Sequence, residues 1–156
     1  KGFKRPESSF YYRAESFFNV ATQAEEYDRL NPYGPSFGGR SLHEQSHGEG
    51  ALSFFQSFKK PGLYLMDEPE AALSPQRQLS LFVHIAQMAN KGAQFIIATH
   101  SPILLALPGK ILSFDQGQIR PCTYEETESY RITDLFVRNR NGFLRQLLMD
   151  IPESQD

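Results

Sequence analysis

Leu63-Tyr64-Leu65-Met66-Asp67-Glu68-Pro69 runs four apolar residues straight into two carboxylates and a proline. An unbroken apolar run of this length suits a central parallel strand covered on both faces better than an alternating edge strand. Lys59-Lys60-Pro61-Gly62 in front of it carries the charges and breakers of a helix end. Behind it, Ser74-Pro75 opens a helix whose hydroxyl caps free amides and whose proline is already helical in φ. Leu79, Phe82, Val83, Ala86 and Ala89 give that helix an apolar stripe, and Gly92 ends it. Gln94 to Thr99 reads as a second buried strand. Strand, helix, strand in this order predicts a right-handed parallel unit and an α/β layer pattern.

In a parallel sheet, polar residues that follow a buried strand face the crevice where ligands bind. One strand ends in Asp67 and Glu68, the other in Thr99 and His100. If the strands are neighbours, two carboxylates and an imidazole converge. Nucleotide hydrolysis needs such a set: a carboxylate for Mg²⁺, a second to activate water, and an imidazole at the γ-phosphate. By position, Asp67 is the metal residue and Glu68 the general base.

Working outward, Ser9 to Arg13 reads as an aromatic-rich strand. A helix is expected from about Glu15 to Leu30, stopped by Asn31-Pro32, followed by a glycine- and proline-rich loop to Arg40. A further helix runs from Ser46 to about Phe58, with Leu52, Phe55 and Phe58 on one side. Towards the other end, strands at Lys110 to Phe114 and Gln118 to Arg120 flank Asp115-Gln116-Gly117, a hairpin turn. From about Ile132 to Met149 the pattern is helical, interrupted at Asn141-Gly142.

With 156 residues and 40% hydrophobic content, the chain can bury one sizeable core, so a single domain over 1–156 is expected. A net charge of −2 gives no overall field towards nucleic acid or an anionic membrane. Cys122 is the only cysteine, which excludes an internal disulfide and fits a reducing cytoplasm. The most apolar stretch, Phe95 to Leu107, is shorter than the roughly 20 residues a membrane span needs, so no membrane insertion is expected.

Leu63 to Pro69 resembles the Walker B motif of ABC-type ATPases, and Glu70-Ala71-Ala72-Leu73-Ser74 resembles the D-loop that follows it. Ile97-Ala98-Thr99-His100-Ser101 resembles the switch motif. Ser46-His47-Gly48-Glu49 resembles the signature motif, with His47 where the common form has glycine and Glu49 where it has glutamine. From Phe10 to Leu148 the chain is similar to stand-alone bacterial ATPases of this superfamily. They share Arg13-Ala14-Glu15-Ser16-Phe17-Phe18 and Ser41-Leu42-His43-Glu44-Gln45-Ser46-His47-Gly48-Glu49.

The resemblance implies a three-layer, parallel-sheet P-loop NTPase fold, with a signature-containing helical region over 1–60 and the hydrolytic core over 61–150. It implies ATP and Mg²⁺ as cofactors and a head-to-tail homodimer sandwiching ATP. Ser46, Gly48 and Glu49 would act on the ATP of the other subunit, with Ser74 at the seam. The phosphate-cradling pattern G-x-x-x-x-G-K-[ST] is missing, because Gly109-Lys110 is followed by Ile111 and has Leu104 where the first glycine belongs. We therefore expect the amino-terminal portion of the fold to lie outside this sequence, and the chain alone to be inactive.

Other readings compete. Ser46-x-x-Glu49 is also a helix capping box, and the same free amides can be capped in a monomer and meet phosphate in a dimer. His43-Glu44-Gln45-Ser46-His47 fits the zinc metallopeptidase pattern H-E-x-x-H, but the glycines on either side argue against the continuous helix it needs. A nucleotide-gated dimer clamp or a transporter's ATP-binding subunit would use the same motifs. Arg138, Arg140 and Arg145 could meet a protein or DNA partner, although such spacing more commonly marks a solvated helix face.

Overall fold

The computed structural model describes residues 9–16, 47–115 and 117–149. The helix expected from Glu15 and the loop that follows it lie outside these residues, except that Glu15 and Ser16 belong to a 3-10 turn, Ala14–Ser16. The chain divides into two compact units, Lys1–Pro108 and Gly109–Asp156.

The first unit is built on three parallel strands, β1 (Ser9–Arg13), β2 (Leu63–Asp67) and β3 (Gln94–Ala98), in the order β1-β2-β3. Tyr12, Met66 and Ile97 stand side by side in the register, as do Phe10, Tyr64 and Phe95. Since side chains alternate across a strand, these six share one face, and the helices pack on it. In α1 (His47–Gln56), Phe54 lies 5.4 Å from the Phe10 ring and Phe55 lies 4.6 Å from Tyr12. Beyond α1, Phe58 sits 5.1 Å from Tyr64, which stacks on Phe95 at 5.0 Å. Burial pushes the Tyr12 phenol up to about 12, so this core residue stays neutral at any ordinary pH.

The expectation of strands covered on both faces is met on one face only among the described residues. On the other face Tyr11, Leu65 and Ile96 form a row, with Tyr11 61% and Ile96 57% exposed.

Helix α2 (Pro75–Asn90) starts where Ser74-Pro75 predicts, with the Ser74 hydroxyl accepting from the Arg77 amide. Its stop is Lys91-Gly92, where Gly92 takes φ +94°, a conformation that costs an L-residue strain. The buried stripe differs from the expected one. Leu81, Ile85 and Met88 are enclosed, whereas Leu79 and Val83 are about half exposed. The enclosed residues are centred roughly 130° around the helix from the expected stripe. They join the cluster of Phe54, Phe55 and Leu104, the last in the short helix α3 (Pro102–Leu105).

The second unit holds an antiparallel hairpin, β4 (Ile111–Asp115) and β5 (Gln118–Cys122), closed where expected, with Gly117 at φ +76°. Two helices follow, α4 (Glu128–Arg138), capped by Thr127, and α5 (Arg140–Met149). The interruption falls at Asn139 rather than at Asn141-Gly142. Asn139 leaves the helical region at φ −135°, and its side-chain oxygen accepts from the Gly142 amide at 3.2 Å, which caps the second helix.

Candidate functional site

Because the strands of the first unit are parallel and in register, their carboxyl ends lie together: Arg13 beside Asp67, and Asp67 beside Ala98. The chain leaves β2 through Glu68, whose amide donates to the Ala98 carbonyl at 2.9 Å, so the ladder persists one residue past the strand. Glu68 itself takes φ +48°, a left-handed conformation that costs a non-glycine residue free energy and that clusters at functional sites. The turn is closed by Ala71 N–H donating to the Glu68 carbonyl and Leu73 N–H to the Glu70 carbonyl, with Pro69 fully buried beneath it. The strained residue is therefore held from both sides.

Sequence reasoning expected Glu68 and His100 to converge, and the structure has them adjacent. Glu68 Oε1 lies 3.7 Å from His100 Nε2, too long for a direct hydrogen bond but close enough for an ion pair when the ring is protonated. Both side chains are open to solvent, His100 at 86% and Glu68 at 54% exposure. Asp67 stands beside Arg13, Nε to Oδ2 at 3.6 Å, and Arg13 also pairs with Glu15 at 2.9 Å.

Glu70 links the turn after β2 to the turn after β3. Its Oε1 accepts from the Thr99 hydroxyl at 2.6 Å, the His100 amide at 2.8 Å and the Ser101 amide at 3.0 Å. A second link runs beside it. Ser101, buried, donates its hydroxyl to Gln78 Oε1 at 2.6 Å and accepts from the Ile103 and Leu104 amides, while Gln78 Nε2 donates to the Leu73 carbonyl.

Of the signature residues, Ser46 lies outside the described residues, as do His43 and Glu44 of the metallopeptidase pattern. Gly48 and Glu49 fall in the first turn of α1. Glu49 is engaged by Arg77 of α2 at 3.1 Å, an ion pair between two helices that pack on each other. Ser74 is exposed, and its oxygen accepts from the Arg77 amide at 3.4 Å as the α2 cap.

Arg13, Glu70, Gln78 and Arg77 had no assigned role from sequence. Arg13 was within reach, since it ends β1 as Asp67 ends β2. Glu70 was not, because its three donors lie about thirty residues further along the chain. Among the described residues no group of three or more histidine, cysteine, aspartate or glutamate side chains could hold a metal ion. Mg²⁺ asks less of a protein, taking one or two carboxylates and filling its remaining positions with water and phosphate oxygens. Asp67, 40% exposed at the strand ends, fits that demand.

A parallel sheet whose strands deliver acids and an imidazole to one edge is what an α/β domain of the P-loop AAA kind presents, and the family comparison places the chain there. The chain belongs to the family described as AAA domain, putative AbiEii toxin, Type IV TA system, whose model matches residues 26–106, more than half of its length. No curated protein matches it. Among the solved structures that resemble it are two of this kind. One comes from work on the ATP-driven dimerization and DNA-stimulated activation of SMC ATPases (19% identity, TM-score 0.46, 82% of this chain and 98% of that chain). The other is an ATP-binding cassette of an ABC transporter (21% identity, TM-score 0.45, 93% of this chain), of which the chain spans about half, 53%. Among the described residues, no helix is long and apolar enough to cross a membrane.

Proposed function

We propose that the chain is the hydrolytic half of an ABC-type ATPase, working on Mg²⁺·ATP in a head-to-tail homodimer in the cytoplasm. The observation that carries this reading is the convergence of Glu68 and His100 at the ends of neighbouring parallel strands, with Glu68 fixed in a left-handed conformation. Bound Mg²⁺ neutralises phosphate charge. Asp67 holds the metal's water shell, Glu68 orients a water and takes its proton, and His100 donates to the γ-phosphate. Solvent exposure of Glu68 and His100 suits groups that meet a ligand arriving from outside. Ser46, Gly48 and Glu49 face the nucleotide bound by the other subunit, and Ser74 lies at the seam. Turnover on this reading also requires a phosphate-cradling loop, whose pattern is absent from these 156 residues.

The test is ATP turnover and zinc content of the natural full-length protein against Glu68→Gln. Mg²⁺-dependent hydrolysis that falls by about 10²-fold or more in the variant, the scale of a lost general base, together with ATP-trapped dimers on size exclusion, supports the reading. Dimers that form with ATP while the parent shows no turnover point instead to a nucleotide-gated clamp. Stoichiometric zinc lost on changing His43 or His47, with no turnover, refutes it in favour of the peptidase pattern.

A further inference from the structure

We infer that Glu70 is a positioning residue that sets His100 against Glu68. One carboxylate oxygen collects three donors from the turn after β3, two of them the backbone amides of His100 and Ser101. Glu70 lies two residues from Glu68 in the same tight turn, so whatever holds its side chain to the second turn also holds the two reacting groups at their separation. Hydrogen bonds to an ionised acceptor are about twice as strong as neutral ones, and here all three bear on a three-residue segment. The Gln78 link ties the same two turns a few residues further on, from Leu73 to Ser101. His100 therefore owes its place to the main chain, while its ring, without a short hydrogen bond of its own to Glu68, stays free to meet a ligand.

The other oxygen, Oε2, is enclosed and has no hydrogen-bond partner among the described residues. That asymmetry defines the chemistry of the substitutions. Glu70→Gln can keep an acceptor towards the three donors, but it turns an amide group into the enclosed position with nothing to accept from it, an unmet donor that costs stability. It should act as a weakened brace. Glu70→Ala leaves the Thr99 hydroxyl and the His100 amide without this acceptor and the Ser101 amide with only Thr99 Oγ1, at 3.0 Å, and should release the turn.

This inference rests on the proposed ATPase reading for its consequence, and its physical content is read separately. The experiment measures backbone amide hydrogen exchange in the natural full-length protein without nucleotide, together with kcat and KM for ATP, in wild type, Glu70→Gln and Glu70→Ala. The expected result is selective acceleration at His100 and Ser101, by about tenfold or more in Glu70→Ala and less in Glu70→Gln. In the same order kcat falls while KM moves little, and the melting temperature drops by less in Glu70→Gln than in Glu70→Ala. Unchanged exchange at these two amides overturns the brace. Accelerated exchange with kcat intact overturns its bearing on catalysis. A wild type without turnover whose amides still loosen in Glu70→Ala refutes the ATPase reading and leaves Glu70 as the group that fixes the His100 backbone.

Discussion

Phe55 in α1 is fully enclosed, while Phe114 in β4 is 73% exposed, and the contrast extends across the two units that contain them. All of the buried hydrophobic residues described belong to the first unit. In the second, α4 has apolar and polar residues sorted onto opposite sides, yet Ile132, Leu135 and Phe136 are 53%, 51% and 37% exposed. The larger difference is in layering. The first unit sets helices against one face of a three-stranded sheet, whereas the second offers a two-stranded hairpin, which is marginal by itself. Its order is local instead: the hairpin turn, the Thr127 and Asn139 caps, and the Arg138 to Asp134 pair one helical turn apart.

The comparison is sharpened most by truncating matched phenylalanines. Phe55→Ala should cost about 3–5 kcal/mol, the range for opening a cavity in a close-packed core. Phe114→Ala should cost less than about 0.5 kcal/mol, as exposed substitutions do. Urea unfolding of both variants measures the difference, and equal losses would erase the distinction between the units.

Matched helix caps give a smaller contrast. Ser101→Ala removes a buried hydroxyl that accepts from two amides and donates to Gln78, and it should cost about 1–3 kcal/mol. Thr127→Ala removes an equivalent cap, whose oxygen accepts from the Tyr130 amide at 3.4 Å, and should cost about 1 kcal/mol or less. Thermal unfolding of the two variants ranks them, and the reverse order would place the tighter cap in the second unit.

Legibility in the sequence followed the same division between local and non-local causes. Strand positions to within two residues, the Ser74-Pro75 helix start, the Gly92 stop and the hairpin turn are set by neighbouring residues and were readable. The inner stripe of α2 was not, because both of its apolar stripes have helical spacing and only the position of α1 selects Leu81, Ile85 and Met88. The break between α4 and α5 was placed two residues late because Gly142 looked like the breaker, while the Asn139 side chain performs the capping. That Glu68 and His100 would stand close together was legible, because strand ends carry a positional rule. Glu70 was not, since which donors it meets depends on how two turns approach each other.

Protonation of His84 tests the first unit's packing on a finer scale. Its Nε2 is enclosed without a hydrogen-bond partner among the described residues, and burial pulls its pKa below 6.5, against the opposing effect of the Phe55 carbonyl, with Lys91 adding to the depression and the Phe58 carbonyl resisting it. Unfolded, the imidazole takes up a proton near 6.5; folded, it does so only at lower pH. Between those two values the unfolded state binds more protons, so stability is fully present above the unfolded pKa and is lost as pH falls through the folded one. Melting temperature should therefore decline on acidification below about pH 6.5, and His84→Gln should flatten that part of the profile. A profile unchanged by the substitution would mean that the ring is already solvated.

A small net effect is expected at Gly142, where two opposed contributions nearly cancel. A methyl group there would lie 2.6 Å from the Asn139 amide atoms, closer than real contacts allow, so the Asn139 side chain must swing away and its cap on the Gly142 amide is lost. Losing a cap costs about 0.5–2 kcal/mol, and replacing glycine with alanine inside a helix returns about 0.8–1 kcal/mol. Gly142→Ala should then change stability by less than about 1 kcal/mol, with helicity at 222 nm unchanged or slightly higher. The near-cancellation holds only where the surroundings let Asn139 move. A loss of more than about 2 kcal/mol would exceed the cap itself, and would mean that Asn139 is locked in place by packing of the kind that distinguishes the first unit.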